Sequence, residues 1–238
     1  MDDILSMQHM SSVAIPFPPP LREGDRLDAE EFLRRWEAMP ELKRAELIDG
    51  IVFTASPLSD DHAILDTALA YWLFHYADAT PGCRAGSNGT WLMAPGSIPQ
   101  PDLALRVLPE FGGQSTLDGK YPGGAPELVV EISASSMSRD LGIKLELYRK
   151  AGVREYLTIL LQPKQVIWRH LVRGRYKELV AHEDGLLKSH VFPGLWLDTD
   201  AVWNPAGRLR KVAEAGLKSP EHAAFVQQLK SGRRPRKS

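Results

Sequence analysis

Three polar positions stand where ordinary packing would not put them. Pro101-Asp102 opens the apolar run Leu103–Val107, so a carboxylate begins a buried element; the plain alternative is a turn or cap carboxylate at a strand start. Glu131 interrupts Leu128-Val129-Val130 and Ile132, and a charge deep in a sheet is costly unless a cation or hydrogen bonds meet it. Its plain alternative is a sheet-edge glutamate facing water. Asp140, Lys144 and Tyr148 are spaced four apart, which aligns them along one side of a helix and brings an ammonium near a strand end. Spacing alone favours a surface ion pair between Asp140 and Lys144.

Two carboxylates on adjacent strand ends with a lysine above them are what metal-assisted phosphodiester hydrolysis requires. Magnesium is a hard cation that takes oxygen ligands and keeps several waters, so Asp102, Glu131 and the backbone carbonyl of Ile132 form a suitable set; manganese is the alternative ion. Such a metal lowers the pKa of a bound water and offsets charge growing on the phosphate. Lys144 would orient or help deprotonate that water and stabilise the transition-state oxygens.

The elements that must position these groups can be read in order. Residues 1–24 are rich in proline and small residues without a helical or strand period, and read as a flexible leader. Asp28 followed by Glu31 has capping-box spacing, predicting a helix to about Ala38. Asp49-Gly50 between Leu47-Ile48 and Ile51-Val52-Phe53 predicts a hairpin. An apolar stripe from Ile64 to Tyr76, capped by Ser59 or Asp60, predicts the longest helix. Short strands follow at Cys83–Ser87, 89–94 and 102–107, then a glycine-rich loop at 111–126 suited to substrate recognition or to a disordered insertion.

Residues 127–133 alternate Leu128, Val130 and Ile132 against Glu127, Val129, Glu131 and Ser133, the pattern of a central strand. One helix over 139–150 should end at Ala151-Gly152. Strands are expected at 156–161, Gln165–Val172, 175–180, 187–191 and 195–197. Strands interspersed with helices make the core α/β, with one domain over 25–205 and a basic helix and tail over 206–238.

The chain has 238 residues, 43% hydrophobic and 25% charged, ordinary values for a soluble globular protein. Its single cysteine, Cys83, excludes an internal disulfide and a sulfur-rich zinc site and points to a reducing compartment, with the cytoplasm expected. No apolar run suits a membrane span, so no membrane association is expected. The net charge of -1 hides an uneven distribution: residues 208–238 carry nine basic and two acidic side chains, leaving the remainder at -8. That end reads either as a phosphate-touching arm or as a solvated helix and tail.

Glu46-Leu-Ile-Asp-Gly50, His62, Pro101-Asp102, Glu127-Leu-Val-Val-Glu-Ile-Ser133, Asp140-x3-Lys144-x3-Tyr148 and Gly152-Val-Arg-Glu-Tyr156 follow one another in that order over about 26–203. In this set the chain resembles the Uma2 family of restriction-endonuclease-like proteins, within the PD-(D/E)XK nucleases. The resemblance implies a restriction-endonuclease-like core, a central mixed β-sheet flanked by helices. It assigns the acidic pair to Asp102 and Glu131 and puts Ser133 in the usual lysine slot, the lysine coming from the next helix as Lys144. Glu46 and His62 match family positions as residues that line the site or orient its ligands.

The resulting expectation is a magnesium- or manganese-dependent endonuclease acting on DNA, a homodimer because double-strand cleavage needs two sites. The alternative is a nuclease-fold binding protein without cleavage.

Overall fold

The computed structural model describes residues 18–55, 57–94, 96–134, 136–204 and 206–232. Helix α1 (Ala29–Glu37) starts as predicted, with Asp28 accepting the Glu31 N–H at 2.8 Å. The capping box is only half made, because the Glu31 carboxylate turns to Arg34 and Arg35 on its own helix. Strands β1 (Ala45–Ile48) and β2 (Ile51–Thr54) form the hairpin, with Asp49 and Gly50 both at positive φ, as a tight two-residue turn demands. Helix α2 (Asp60–Ala79) follows with Ser59 as its cap.

The main sheet has six strands in the order β3 (Cys83–Ser87), β4 (Leu103–Val107), β5 (Leu128–Ser133), β6 (Glu155–Leu160), β7 (Gln165–Val172) and β8 (Arg175–Glu178). Only β5 and β6 run parallel; the remaining pairs are antiparallel, so the sheet is mixed. Residues 89–94 form no strand, contrary to expectation. Their backbone groups are spent singly, the Trp91 N–H on Pro99 O and the Leu92 N–H on Pro122 O.

Strand alternation sorts β5 onto two cores. Leu128, Val130 and Ile132 pack with Leu65, Leu69, Trp72 and Tyr76 of α2, whereas Val129 packs on the opposite face with Leu147, Tyr148 and Tyr156. The α2 side is completed by β9 (Leu186–Lys188), β10 (Trp196–Asp198), α5 (Thr199–Trp203), α6 (Arg208–Leu217) and α7 (Pro220–Gly232). Where one basic C-terminal helix was expected there are two, and residues 233–238 lie outside the described set. Of the leader, Leu21 is buried against Phe32, Leu47, Val52 and Ile98, while 1–17 lie outside the description.

The helix predicted over 139–150 is two: α3 (Met137–Asp140) and α4 (Ile143–Ala151). The break falls at Gly142, where a Cβ would stand 2.6 Å from the Ser138 carbonyl oxygen, so no other residue fits without movement. Gly152 closes α4 at positive φ, as its sequence position suggested.

A buried carboxylate ties the α2 side to the sheet. Glu155, at the start of β6, is fully buried and accepts bonds from the Ser189 hydroxyl at 2.7 Å and the His190 N–H at 2.7 Å. Burial outweighs these donors and lifts its pKa from 4.5 to about 7. The folded state therefore holds this proton more tightly than the unfolded chain, and stability falls as pH rises from about 4.5 to about 7. Glu155→Gln should remove that slope. Relative to the parent, its melting temperature should gain between pH 5 and pH 8 by the equivalent of roughly 3 kcal/mol; an offset constant across this range would refute the assignment.

Candidate active site

The register of the sheet brings the acidic pair together. Leu103 opposes Val130, so residue 102, just ahead of β4, stands across from Glu131. Residues 102 and 104 share one face, as do 129 and 131, and that face is covered by α4. Strand β5 runs beyond the start of β4, leaving the Ile132 N–H without a strand partner; Asp102 supplies one, its Oδ2 accepting at 2.8 Å. In a strand the N–H and C=O of one residue point the same way, so the Ile132 carbonyl faces the Asp102 side and lines the same cleft.

Asp102 is buried and fully engaged. Arg44 Nη2 lies 2.9 Å from Oδ1, and His62 Nε2, in the first turn of α2, lies 3.5 Å from Oδ2. Burial alone would raise its pKa, but His62, the Ile132 N–H, Lys144 and Arg44 together bring it to about 2. The same contact with Asp102, set against burial, raises His62.

Glu131 lies in a richer acidic field. Lys144 Nζ is 2.7 Å from its Oε1, and the Tyr148 hydroxyl donates to the same oxygen at 2.6 Å. Lys144 also meets Glu46 Oε1 at 3.0 Å and stands 3.9 Å from Asp140 Oδ1. All four residues of this inner group, Glu131, Lys144, Tyr148 and Asp140, are buried, so the surface ion pair favoured by spacing alone is not what forms. Burial, together with Asp102, Asp140 and Glu46, pushes Glu131 upward against the pull of Lys144. Burial opposes the charge on Lys144, but Glu131, Glu46 and Asp140 hold it as an ammonium and raise its pKa.

Ser133, in the slot that the resemblance gives to a lysine, donates to Asp140 Oδ2 at 2.7 Å, and Ser136 donates to the same oxygen at 2.5 Å. Tyr156 holds the Asp140 carbonyl at 2.9 Å. Asp140 is thus a brace that fixes α3 against the end of β5, and Glu46 is fixed by the Gln100 N–H at 2.8 Å. Every residue expected at the site, Glu46, His62, Asp102, Glu131, Ile132, Ser133, Asp140, Lys144 and Tyr148, falls in this one cluster.

Sequence reading missed Arg44, Gln100, Asp66 and Arg139. Arg44 sits two residues before Glu46 on a strand edge, the spacing that puts two side chains on one face; that was the available signal. Asp66 is one helical turn after His62, with Oδ1 buried and unpartnered among the described residues. The loop at 111–126, proposed for recognition, contributes nothing to the cleft, which encloses about 100 Å³.

A hard divalent cation fits this donor set on chemical grounds. The donors are all oxygens, two of them buried carboxylates, and Arg44, Lys144 and the imidazole of His62 stand where they meet the negative charge that a dication would meet. The partners of Glu131 all reach Oε1, leaving Oε2 free among the described residues. Among those residues no three His, Cys, Asp or Glu side chains converge as a ready-made metal cage. The protein would therefore supply Asp102, Glu131 and the Ile132 carbonyl, with water completing the shell, the mode magnesium prefers.

Residues 29–200 match the Uma2 family, described as putative restriction endonuclease. The chain belongs to the Uma2 family. The solved structure of a putative nuclease belonging to DUF820 from Anabaena variabilis superimposes on the Uma2 chain with a TM-score of 0.56 at 14% identity, covering 72% of this chain and 97% of that one. At that identity the likeness concerns the fold, a mixed sheet flanked by helices. No curated protein matches the sequence. The Uma2 match ends at residue 200, so α6 and α7 lie outside it. No helix among the described residues is long and apolar enough to cross a membrane.

Proposed function

We propose that this chain is a magnesium- or manganese-dependent endonuclease that hydrolyses phosphodiester bonds of DNA. The observation that carries this reading is the pairing of Asp102 and Glu131 across adjacent strands, with the Lys144 ammonium 2.7 Å from Glu131 inside one cleft. A bound metal would supply Lewis-acid stabilisation of the phosphate and an acidified water.

The protein's own groups have separable tasks. Asp102 and Glu131 would hold the cation, and the Ile132 carbonyl would add a neutral oxygen. Lys144, kept charged by Glu131, Glu46 and Asp140, is placed to donate hydrogen bonds to the attacking water and to the phosphate oxygens. Tyr148 and Glu46 fix Glu131 and Lys144, and Ser133 and Ser136 fix Asp140. Arg44 and His62 hold the Asp102 carboxylate in place. We further propose that two copies act together on duplex DNA, each supplying one site.

Metal binding to the folded state must stabilise it. Millimolar magnesium or manganese should raise the melting temperature of the parent and leave Asp102→Asn unmoved. Equal shifts in the two proteins would show that the ion binds elsewhere.

A further inference from the structure

Four positively charged or chargeable side chains line the cleft, and three are committed. Arg44 and His62 are held on Asp102, and Lys144 lies among Glu131, Glu46 and Asp140. The fourth, Arg139, has no carboxylate partner among the described residues. Its guanidinium instead lies over the ring of Phe53, another cleft residue, at 5.0 Å from the ring centroid.

We propose that Arg139 is the anchor for a phosphate of the substrate backbone, an assignment that rests on the nucleic-acid reading above. The Arg139 side chain makes no hydrogen bond or ion pair among the described residues, so its N–H donors are available, and the edge of a guanidinium matches the paired oxygens of a phosphate. The delivery is fixed rather than loose. Arg139 precedes Asp140, whose carboxylate is held by Ser133 and Ser136 and whose carbonyl is held by Tyr156. The α3 turn carrying it is closed by Gly142, packed against the Ser138 carbonyl. A cation–π contact returns about as much as the rotamer freedom an arginine loses in making it. A half-buried guanidinium held ready in an acidic cleft is therefore better matched to an anion that arrives with the substrate.

The test is fluorescence anisotropy of labelled duplex DNA and of an RNA duplex of the same sequence, across a salt series, with calcium replacing magnesium. The parent, Arg139→Ala, Arg139→Lys and Phe53→Leu are compared. Arg139→Ala should bind roughly tenfold more weakly, and its plot of log affinity against log salt should be shallower by about one. Arg139→Lys should keep the slope while losing part of the affinity, because the charge survives and the fork does not. Phe53→Leu keeps the arginine and removes its platform, and should also weaken binding, a reading independent of how the alanine variant folds. Parental affinity and slope in Arg139→Ala, with the parent binding either duplex, would overturn this assignment and leave the nuclease reading intact. A parent that binds neither duplex would overturn both.

Discussion

Lys144→Ala is expected to be the most damaging single substitution in the protein, for stability and activity together. The ammonium is buried and lies within 4 Å of three carboxylates. Its removal strands Glu131, Glu46 and Asp140 in one pocket without their cation. Breaking a buried pair in this way costs roughly 3–5 kcal/mol, which for a chain of this size lowers the melting temperature by about 10 °C. The deficit should shrink on acidification from pH 8 to pH 5, because Glu131, already raised by burial and its neighbours, then takes a proton in place of the lysine charge. Adding Glu131→Gln to Lys144→Ala should restore part of the loss, a coupling that a double-mutant cycle reads directly. Additive effects would mean that the two side chains do not act as a pair.

The second large effect distinguishes the two carboxylates proposed as metal ligands by sign. Asp102 is stabilised as an anion, its pKa drawn from 3.8 to about 2 by its donors. Neutralising it in Asp102→Asn forfeits on the order of 2 kcal/mol at neutral pH. In the parent this contribution is present above about pH 4 and is lost as pH falls toward 2. Glu131 carries the opposite shift, so Glu131→Gln in the metal-free protein should raise the melting temperature at neutral pH rather than lower it. Relief of carboxylate repulsion thus applies to Glu131 and not to Asp102, whose charge is already met by Arg44 and His62. Both variants should lose cleavage by about a thousandfold or more, because the proposed metal ligands would act as a unit. Denaturation of the two variants without metal is decisive: shifts of the same sign would overturn this account of the site's electrostatics.

Much of this arrangement was legible from spacing. Period-two alternation in 127–133 placed Glu131 and Ser133 on the face opposite Ile132, and the fold keeps them there. The four-residue interval from Lys144 to Tyr148 put both side chains on Glu131. Asp140 reached the same cluster although the single helix assumed for it is broken at Gly142. There the glycine is required by the Ser138 carbonyl four residues upstream, a local clash that a continuous helical stripe does not reveal.

What stayed hidden depended on long-range pairing. Arg44 meets Asp102 across 58 positions of sequence, and nothing near either residue announces the other. Residues 89–94 have strand-like composition, yet their hydrogen bonds go to Pro99 and Pro122, so tertiary context overrides propensity. The C-terminal helices show basic residues in sequence, but not that Leu209, Ala213 and Leu229 would close the α2 side of the core.

The central claim is metal-assisted cleavage at Asp102 and Glu131, and supercoiled plasmid tests it most directly. Purified protein is incubated with magnesium or manganese, or with chelator, beside folded Asp102→Asn and Glu131→Gln. The account predicts nicking and linearisation that require the metal and vanish in both variants. A folded parent that leaves the plasmid intact with either ion, or cleavage that survives the loss of Asp102, would contradict it.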